Sequence, residues 1–579
     1  MRGPRRVISL VAATAAAVGA LAACTADAVV GSKVIEPAGR GGTLTLLSAA
    51  AIPTLDPQRI GDPATGAMVG RTLHRTLTAY APMAGEATQP SLVGDLATDT
   101  GEPSEDLKTW RFTLRPDLTW QDGSPLGCED VKHGIARTFA TDVITGGSTD
   151  ALSALAIPRT PDGRSTFLGP WAQGDQAAAG QASFDQAVSC ADRTISFVLA
   201  EPVADFNEMV TLAAFAPVKK DGDSGPDSGA ASLSSGPYRL EGTWNAETGG
   251  LLVRNEKWRA ESDPVRKANP DRIRITTGQE PGVIAATVLA DDDTAKASVS
   301  LTPAPIALQQ QVSSVEALRD RSLALPTGVI DYLAPNVTSP VLQSREARTA
   351  LELSTRRSGY AVGLASPIGA TPTASLIPDG LLARATTAVP VGEPDPTKAR
   401  QILQQAGVAV PVPIRVAYRE GPAADKAMSA LVTGWREGGF DPTLVPIKDS
   451  YFGTISAPGA TEQYDVFWSN WSPAWGSAST ILPPLFDASL NLTEAGSGRD
   501  YGGWSSVDWN ARVGQIASMP DRAAREKAWA EADDVLREDV AYIALAARSA
   551  VHLAGSDVRG LAAHPYGGGA IDLGVAGVN

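Results

Sequence analysis

Apolar and polar positions alternate most clearly over 108–115, where Trp110, Phe112 and Leu114 take turns with Thr109, Arg111, Thr113 and Arg115. A period of two puts one face of a strand on a core. After Trp120 the pair Asp122-Gly123 predicts a tight turn, and Pro125 stiffens its exit. From about Gly127 the period changes: Val131, Ile135 and Phe139 recur every four residues, so the spacing predicts an amphipathic helix with Glu129 and Asp130 in its positive first turn.

The same criteria applied along the chain predict strands over 42–48, 193–199, 414–418, 443–447, 464–468 and 540–545. Helical stripes run over 65–80, 395–407, 424–438 and 521–538, the second opening on Pro396 and closing on Gly407. Between 141 and 187 periodicity is lost, and only Phe167, Trp171 and Phe184 serve as large anchors. The segment 219–235 is rich in Gly, Ser and Asp and reads as a surface loop. The β-α-β alternation of the second half predicts an α/β lobe.

The N-terminus sets the compartment. Arg2, Arg5 and Arg6 precede an uncharged run over 7–23 that ends Leu21-Ala22-Ala23-Cys24, the plan of a secretory signal closing on a lipobox. The expectation is a signal peptide over 1–23, a diacylated Cys24 and a flexible tether over 24–41, which places the protein at the extracytoplasmic face of a bacterial cell membrane. With 43% hydrophobic residues over 579 positions the chain can fill two or three domains. The excess of 64 acidic over 49 basic residues argues against nucleic acid as a partner. If Cys24 is lipidated, Cys128 and Cys190 are left for a disulfide, the alternative being two buried thiols. His74, His133, His552 and His564 show no metal-ligand spacing and read as surface or packing residues, so no metal or cofactor is expected. Gly222-Asp223-Ser224-Gly225-Pro226 looks like a fragment of a serine-protease nucleophile motif, but no base and orienter accompany it, and no catalytic residue is assigned.

Several motifs resemble one family. Trp110, Phe112, Leu114, Arg115, Trp120, Asp122, Gly123, Pro125, Asp130 and Val131 follow the pattern W-x-F-x-L-R-x-x-x-x-W-x-D-G-x-P-x-x-x-x-D-V of extracytoplasmic solute-binding proteins of ABC importers, family 5, the oligopeptide, dipeptide and nickel type. Leu55-Asp56-Pro57, Gly236-Pro237-Tyr238 and the runs 344–351 and 395–407 are similar to further motifs of that family, the last two as helices. The resemblance, to a bacterial lipoprotein of actinobacterial kind, implies an α/β, two-lobed, periplasmic-binding-protein type II-like fold of cluster C with an extra flap in the first lobe. It places lobe I over 42–275 with the flap at about 70–190, lobe II over 276–540, and a return to lobe I over 541–579. It implies a monomer that is not an enzyme, that captures a peptide or similar small solute by hinge closure, and that works with an ABC permease and ATPase in the membrane. Sensing or adhesion on the same fold, an oligosaccharide as solute, and an extracellular hydrolase are the alternatives.

The resemblance also directs attention to the strand at 464–468 and the loop after it. Trp468, Asn470, Trp471 and Trp475 become candidates for stacking and hydrogen bonding to ligand, with Tyr501 and Trp504 at the rim and Ser48, Ala51 and Ile52 at the end of the first strand. Peptide-binding relatives place an Asp after the Trp to pair with an α-amino group, whereas this chain reads Ser472-Pro473-Ala474. A charge-assisted contact of about 1.5 to 3 kcal/mol is therefore missing unless Asp487 or Asp500 supplies it, which favours blocked peptides or uncharged solutes.

Overall fold

The computed structural model describes residues 35–83, 90–223, 225, 233–312, 314–385, 387–493 and 496–579; Cys24 and most of the tether expected over 24–41 lie outside them. The N-terminal lobe is built on a five-stranded sheet in the order Ser298–Ser300, Thr43–Leu47, Arg272–Thr276, Gly249–Arg254 and Tyr238–Asn245. Thr43–Leu47 pairs in parallel with both its neighbours, and the remaining ladders are antiparallel. Leu44, Leu46, Ile273 and Ile275 point into the core of this lobe. The sheet continues beyond 275, where the sequence pattern suggested a boundary. Ser298–Ser300 is only three residues long and wholly buried, so it carries no alternation to read.

A four-stranded antiparallel sheet forms the flap, in the order Glu102–Pro103, Thr109–Thr113, Thr194–Val198 and Val188–Ala191. Trp110 and Phe112 lie on its buried face and meet Phe197 and Phe206 edge-on or tilted. The helix Cys128–Arg137 begins at Gly127, whose N–H donates to the Asp130 carboxylate, and buries Val131 and Ile135 against that sheet. Cys128 is joined to Cys190 by a disulfide, with 5.9 Å between Cα atoms, so the helix is stapled to an edge strand. The segment without periodicity contains the helix Asp175–Ala187. It buries only Gly180, Phe184 and Ala187, too few apolar positions for a visible stripe.

The C-terminal lobe carries a six-stranded sheet in the order Ala370–Pro372, Ile543–Leu553, Ser322–Pro335, Val466–Trp471, Val412–Arg419 and Phe440–Ile447. The last pair is parallel and is crossed by the helix Pro422–Glu437, whose Met428, Leu431 and Trp435 are buried. The helices Arg345–Ser354, Pro396–Gln405 and Arg522–Glu538 stand where the sequence predicts them, each with a Ser or Asp side chain capping its first turn.

Ser322–Pro335 and Ile543–Leu553 belong to both lobes. Leu323 and Leu325 pack into the N-terminal core, while Ile330, Tyr332 and Leu333 pack into the C-terminal one. Between these halves the ladder breaks: Pro326 faces Ser549 and Ile330 faces Ala547, so Arg548 alone opposes Thr327, Gly328 and Val329. This is a bulge, and Gly328 at φ +72° supplies a left-handed conformation within it. The chain then returns to the N-terminal lobe, where Val558, Leu561, Ile571 and Leu573 join its core.

The flap is tied to the N-terminal sheet by ion pairs. The buried Asp95 carboxylate binds Arg75 at 2.7 Å and Arg266 at 2.9 Å, and Arg266 also reaches Asp263 at 3.1 Å. Arg71 pairs with Asp572 at 2.8 Å, fixing the returning tail. Removing one charge from such a cluster strands the others in a dry interior. Asp95→Asn is therefore expected to destabilise the N-terminal lobe by about 3 to 5 kcal/mol, seen as an early transition in a calorimetric scan; a single unshifted transition would contradict the assignment.

Candidate functional site

The bulge at Thr327–Val329 opens onto a cavity of about 420 Å³, inside the roughly 300–1,000 Å³ range of small-molecule sites. Its floor is Ala324 to Ile330 and Ala547 to Ser549 of the two crossing strands. One wall comes from the C-terminal lobe, from Pro367 to Thr373 and Pro378 to Leu381, and another from the returning tail at Ala563 to Tyr566. Pro473, together with Met83 and Pro90, borders the remaining side. A second cavity of about 190 Å³ shares His564, Pro565 and Tyr566 and reaches Arg71 and Tyr80 of the N-terminal lobe. The larger cavity thus lies where the two lobes meet, which is where a solute can touch both.

Arg548 sits on the floor. Its Nε donates to both Asp331 oxygens, at 2.9 and 3.0 Å, and its Nη2 lies 2.8 Å from Oδ1. Tyr360 donates its hydroxyl to Asp331 at 2.9 Å, and Trp468 donates its indole N–H to the Tyr360 oxygen at 2.7 Å. Asn470, opposite Asp331 on the neighbouring strand, adds its amide. Burial raises the Asp331 pKa, while Arg548 and these donors pull it back. His564 is half-buried by surface area, and desolvation pushes its pKa down to about 3, so it lines the cavity as a neutral ring.

The lobes also touch through a polar cluster. Trp475 donates its indole N–H to Asp205 at 2.9 Å, and the Gly476 N–H donates to the Tyr80 hydroxyl at 3.0 Å. Tyr80 in turn donates to Glu208 at 2.6 Å, and Arg522 lies 3.2 Å from the other Glu208 oxygen. Ser479 binds Asp205, and Ser477 binds Glu526 at 2.7 Å. Burial raises the Glu208 pKa, and burial followed by the nearby Asp205 and Glu208 charges pushes Glu526 up to about 7.

The candidates from sequence fall into different places. Trp468 and Trp504 are core residues: their indole N–H groups are used by Tyr360 and by Asp539, and their rings fill the C-terminal lobe. Tyr501 is buried beside Phe452. Trp471 is half-buried, donating to the Thr480 carbonyl with the Arg499 guanidinium 4.8 Å over its ring. Asn470 supports Asp331, and Trp475 joins the lobes. Ser48 turns its hydroxyl to the Ala50 carbonyl, Ile52 is buried under Trp244, and Ala51 is exposed; none of the three lines the larger cavity. Asp500 is buried, accepts the Trp504 N–H and is pushed up to about 7, whereas Asp487 caps the short helix Ala488–Asn491. Neither carboxylate lines the cavity. The histidines pack internally: His74 contacts the Leu55 carbonyl, His133 pairs with Asp223, and His552 lies between the Ser300 and Gly569 carbonyls. Asp223, from the protease-like fragment, is thus engaged by His133 and by Arg137 at 3.0 Å. Sequence reasoning missed Arg548 and Asp331, although each is a lone charge in an apolar strand.

Residues 91–491 match the family described as "Bacterial extracellular solute-binding proteins, family 5 Middle". The chain belongs to that family. Among curated relatives it is 21% identical over 493 residues to the Escherichia coli (strain K12) protein "Probable D,D-dipeptide-binding periplasmic protein DdpA", covering 83% of this chain and 84% of that protein. It is 24% identical over 508 residues to "Probable deoxycholate-binding periplasmic protein YgiS" of the same organism, covering 85% of each. Among solved structures it is similar to "Clavulanic acid biosynthesis oligopeptide binding protein 2", with a TM-score of 0.82, 25% identity and coverage of 95% of this chain and 99% of that one. It also shares its fold with the unliganded open form of the murein tripeptide-binding protein MppA, with a TM-score of 0.71, 18% identity and coverage of 94% and 97%. The protein therefore has a substrate-binding role on the two-lobed α/β fold of family 5. No helix among the described residues is long and apolar enough to cross a membrane.

Glu526 faces Arg522 and Arg525 on its own helix and Asp205, Glu208 and Tyr566 across the junction. If the lobes part, water reaches Glu526 and its pKa returns towards the ordinary 4.5, so closing would take up a proton. The contribution to closure is complete below about pH 4.5 and is lost as pH rises through about 7. Solute affinity measured by calorimetry is expected to fall roughly tenfold or more between about pH 5.5 and about pH 8, and Glu526→Gln to flatten the profile. A flat wild-type profile would sink this assignment.

Proposed function

We propose that this protein is the lipid-anchored, extracytoplasmic substrate-binding subunit of an ABC importer, which captures a peptide or similar small solute between its lobes and delivers it to a permease. The observation that carries the reading is the cavity at the ladder break between the two crossing strands. A solute there touches both lobes at once, so it makes contacts in the closed form that the open form lacks and shifts the population towards closure. The bulge at Thr327–Val329 supplies the hinge, because backbone groups released from the ladder can rotate without breaking a continuous run of hydrogen bonds. The hydrogen bonds and the ion pair among the remaining interlobe contacts suit reversible opening, since those groups are rehydrated when the lobes part, while the Trp475 ring packs into the flap core.

Peptide is the first choice of solute because the names of three relatives refer to a dipeptide, an oligopeptide and a murein tripeptide. A non-peptide solute is the second reading, favoured by the relative named for deoxycholate and by the missing carboxylate after Trp471. The lipid anchor rests on Cys24 and its preceding residues.

Protein purified from its own cells and sprayed under native conditions is expected to carry a retained solute, and adding that solute at about 100 times its Kd should stabilise the fold by about 2.7 kcal/mol. Val329→Trp, which fills the cavity from the bulge, should abolish that stabilisation while the apo protein melts as before. Cys24→Ser should release the protein from the membrane fraction. If Val329→Trp binds the solute as well as wild type does, the site lies elsewhere.

A further inference from the structure

We propose that the solute carries a carboxylate on an apolar body, and that Arg548 on the cleft floor receives that carboxylate. The inference rests on the cleft being the solute site. The lining of the larger cavity is dominated by Pro, Ile, Val, Ala and Thr, and its only charged members among the described residues are Arg548 and Asp379. His564 adds a neutral ring, so Arg548 is the one cation among the described residues that faces the space.

The guanidinium is held in place before any solute arrives. Asp331 is fully buried and takes the Nε and Nη2 side of the fork; Tyr360, Trp468 and Asn470 fix Asp331 in turn. The Thr327 hydroxyl also donates to the Arg548 carbonyl at 2.9 Å. An arginine offers five N–H donors, so a single carboxylate does not exhaust it. The ion pair is also lopsided: Asp331 has no exposed surface, whereas a third of the Arg548 side chain stays exposed. A pair that served only to neutralise a buried carboxylate has no need of that exposure. The bulge opens the strand opposite Arg548 and leaves its side chain bordering the cavity. A planar fork already aligned on one carboxylate binds a second with little further loss of side-chain freedom.

Asp379 sits in the loop wall, and burial raises its pKa; Arg384, the cation that acts on it, is already bound to Asp533 and Asp534. An anionic head at Arg548 leaves the apolar body along the proline-lined walls. No carboxylate comes directly after Trp471.

Calorimetry with the purified protein tests this with two sources of the same chemistry. One is a pool of apolar tri- to pentapeptides as free acids, as C-terminal amides and as N-acetyl acids; the other is octanoate against octanamide. Wild type is expected to bind free and N-acetylated peptides alike and to lose about tenfold or more on amidation. Binding of octanoate but not octanamide, with no peptide bound, would support the carboxylate and move the source from peptide to fatty acid. Because Arg548 alone cannot be removed without stranding Asp331, the paired variant Arg548→Gln/Asp331→Asn is used, and acids and amides should then bind equally. Arg548→Lys should keep the preference for acids while weakening it. Equal binding of acids and amides by wild type overturns the role of Arg548 and leaves the importer reading standing. Failure of every probe to bind overturns both the carboxylate and the peptide or similar solute.

Discussion

Two antiparallel strands shared by both lobes govern this molecule. Ser322–Pro335 buries Leu323 and Leu325 in the N-terminal core, Ile543–Leu553 ends on Leu553 in the apolar cluster at the edge of that lobe, and the other halves of both strands lie in the C-terminal core, so neither lobe can shift without the ladder between them responding. The pairing is regular over Ser322–Pro326, and in the other half it slips once more, by one residue, between Asp331 and Tyr332. The wider break lies between the halves, where three residues face one, and the backbone groups released there make it the softest point of the ladder. A rigid pair of bodies joined at one soft point can open and close along few directions, and both the cavity and the polar junction lie beside that point.

The two lobes are stabilised differently. In the C-terminal lobe one large apolar cluster runs from Ile330 to Ala546 and includes Trp435, Trp468, Trp504, Trp509 and Trp529, whose burial removes much apolar surface from water. The N-terminal lobe is divided into separate clusters for flap, sheet and edge, and buried ion pairs bridge its parts: Asp95 with Arg75 and Arg266, Arg71 with Asp572, and Arg137 with Asp56. Such pairs fix orientation rather than add much net stability, because desolvation cancels most of their attraction. In a lobe assembled from distant chain segments, orientation is what is needed.

Much of the architecture was legible because local periods were strong. The switch from alternation over Thr109–Thr113 to a four-residue stripe over Cys128–Arg137 can be read directly, as can the capped helix Pro396–Gln405. The first part of Ser322–Pro335 could not be read, since Leu323, Ala324 and Leu325 are all buried and a strand covered on both faces does not alternate. The site was harder still. The tryptophans near 470 draw attention by type, yet Trp468 spends its N–H on Tyr360 and its ring on the core. Arg548 and Asp331 are 217 residues apart, and only strand register brings them together. The visible signal was a lone charge in each of two apolar strands, and that signal names its partner only once the strands are paired.

The order in which segments complete each lobe bears on how the chain is made. The C-terminal sheet is drawn from one stretch between Ser322 and Leu553. The N-terminal lobe begins with Thr43–Leu47, yet its core still lacks Leu561, Ile571 and Leu573 when that stretch is finished. A polypeptide synthesised or exported from its N-terminus therefore completes second the lobe it started first. Until the last two dozen residues arrive, the early strands must wait with an apolar face uncovered, and closing that face demands contacts across almost the full length of the chain.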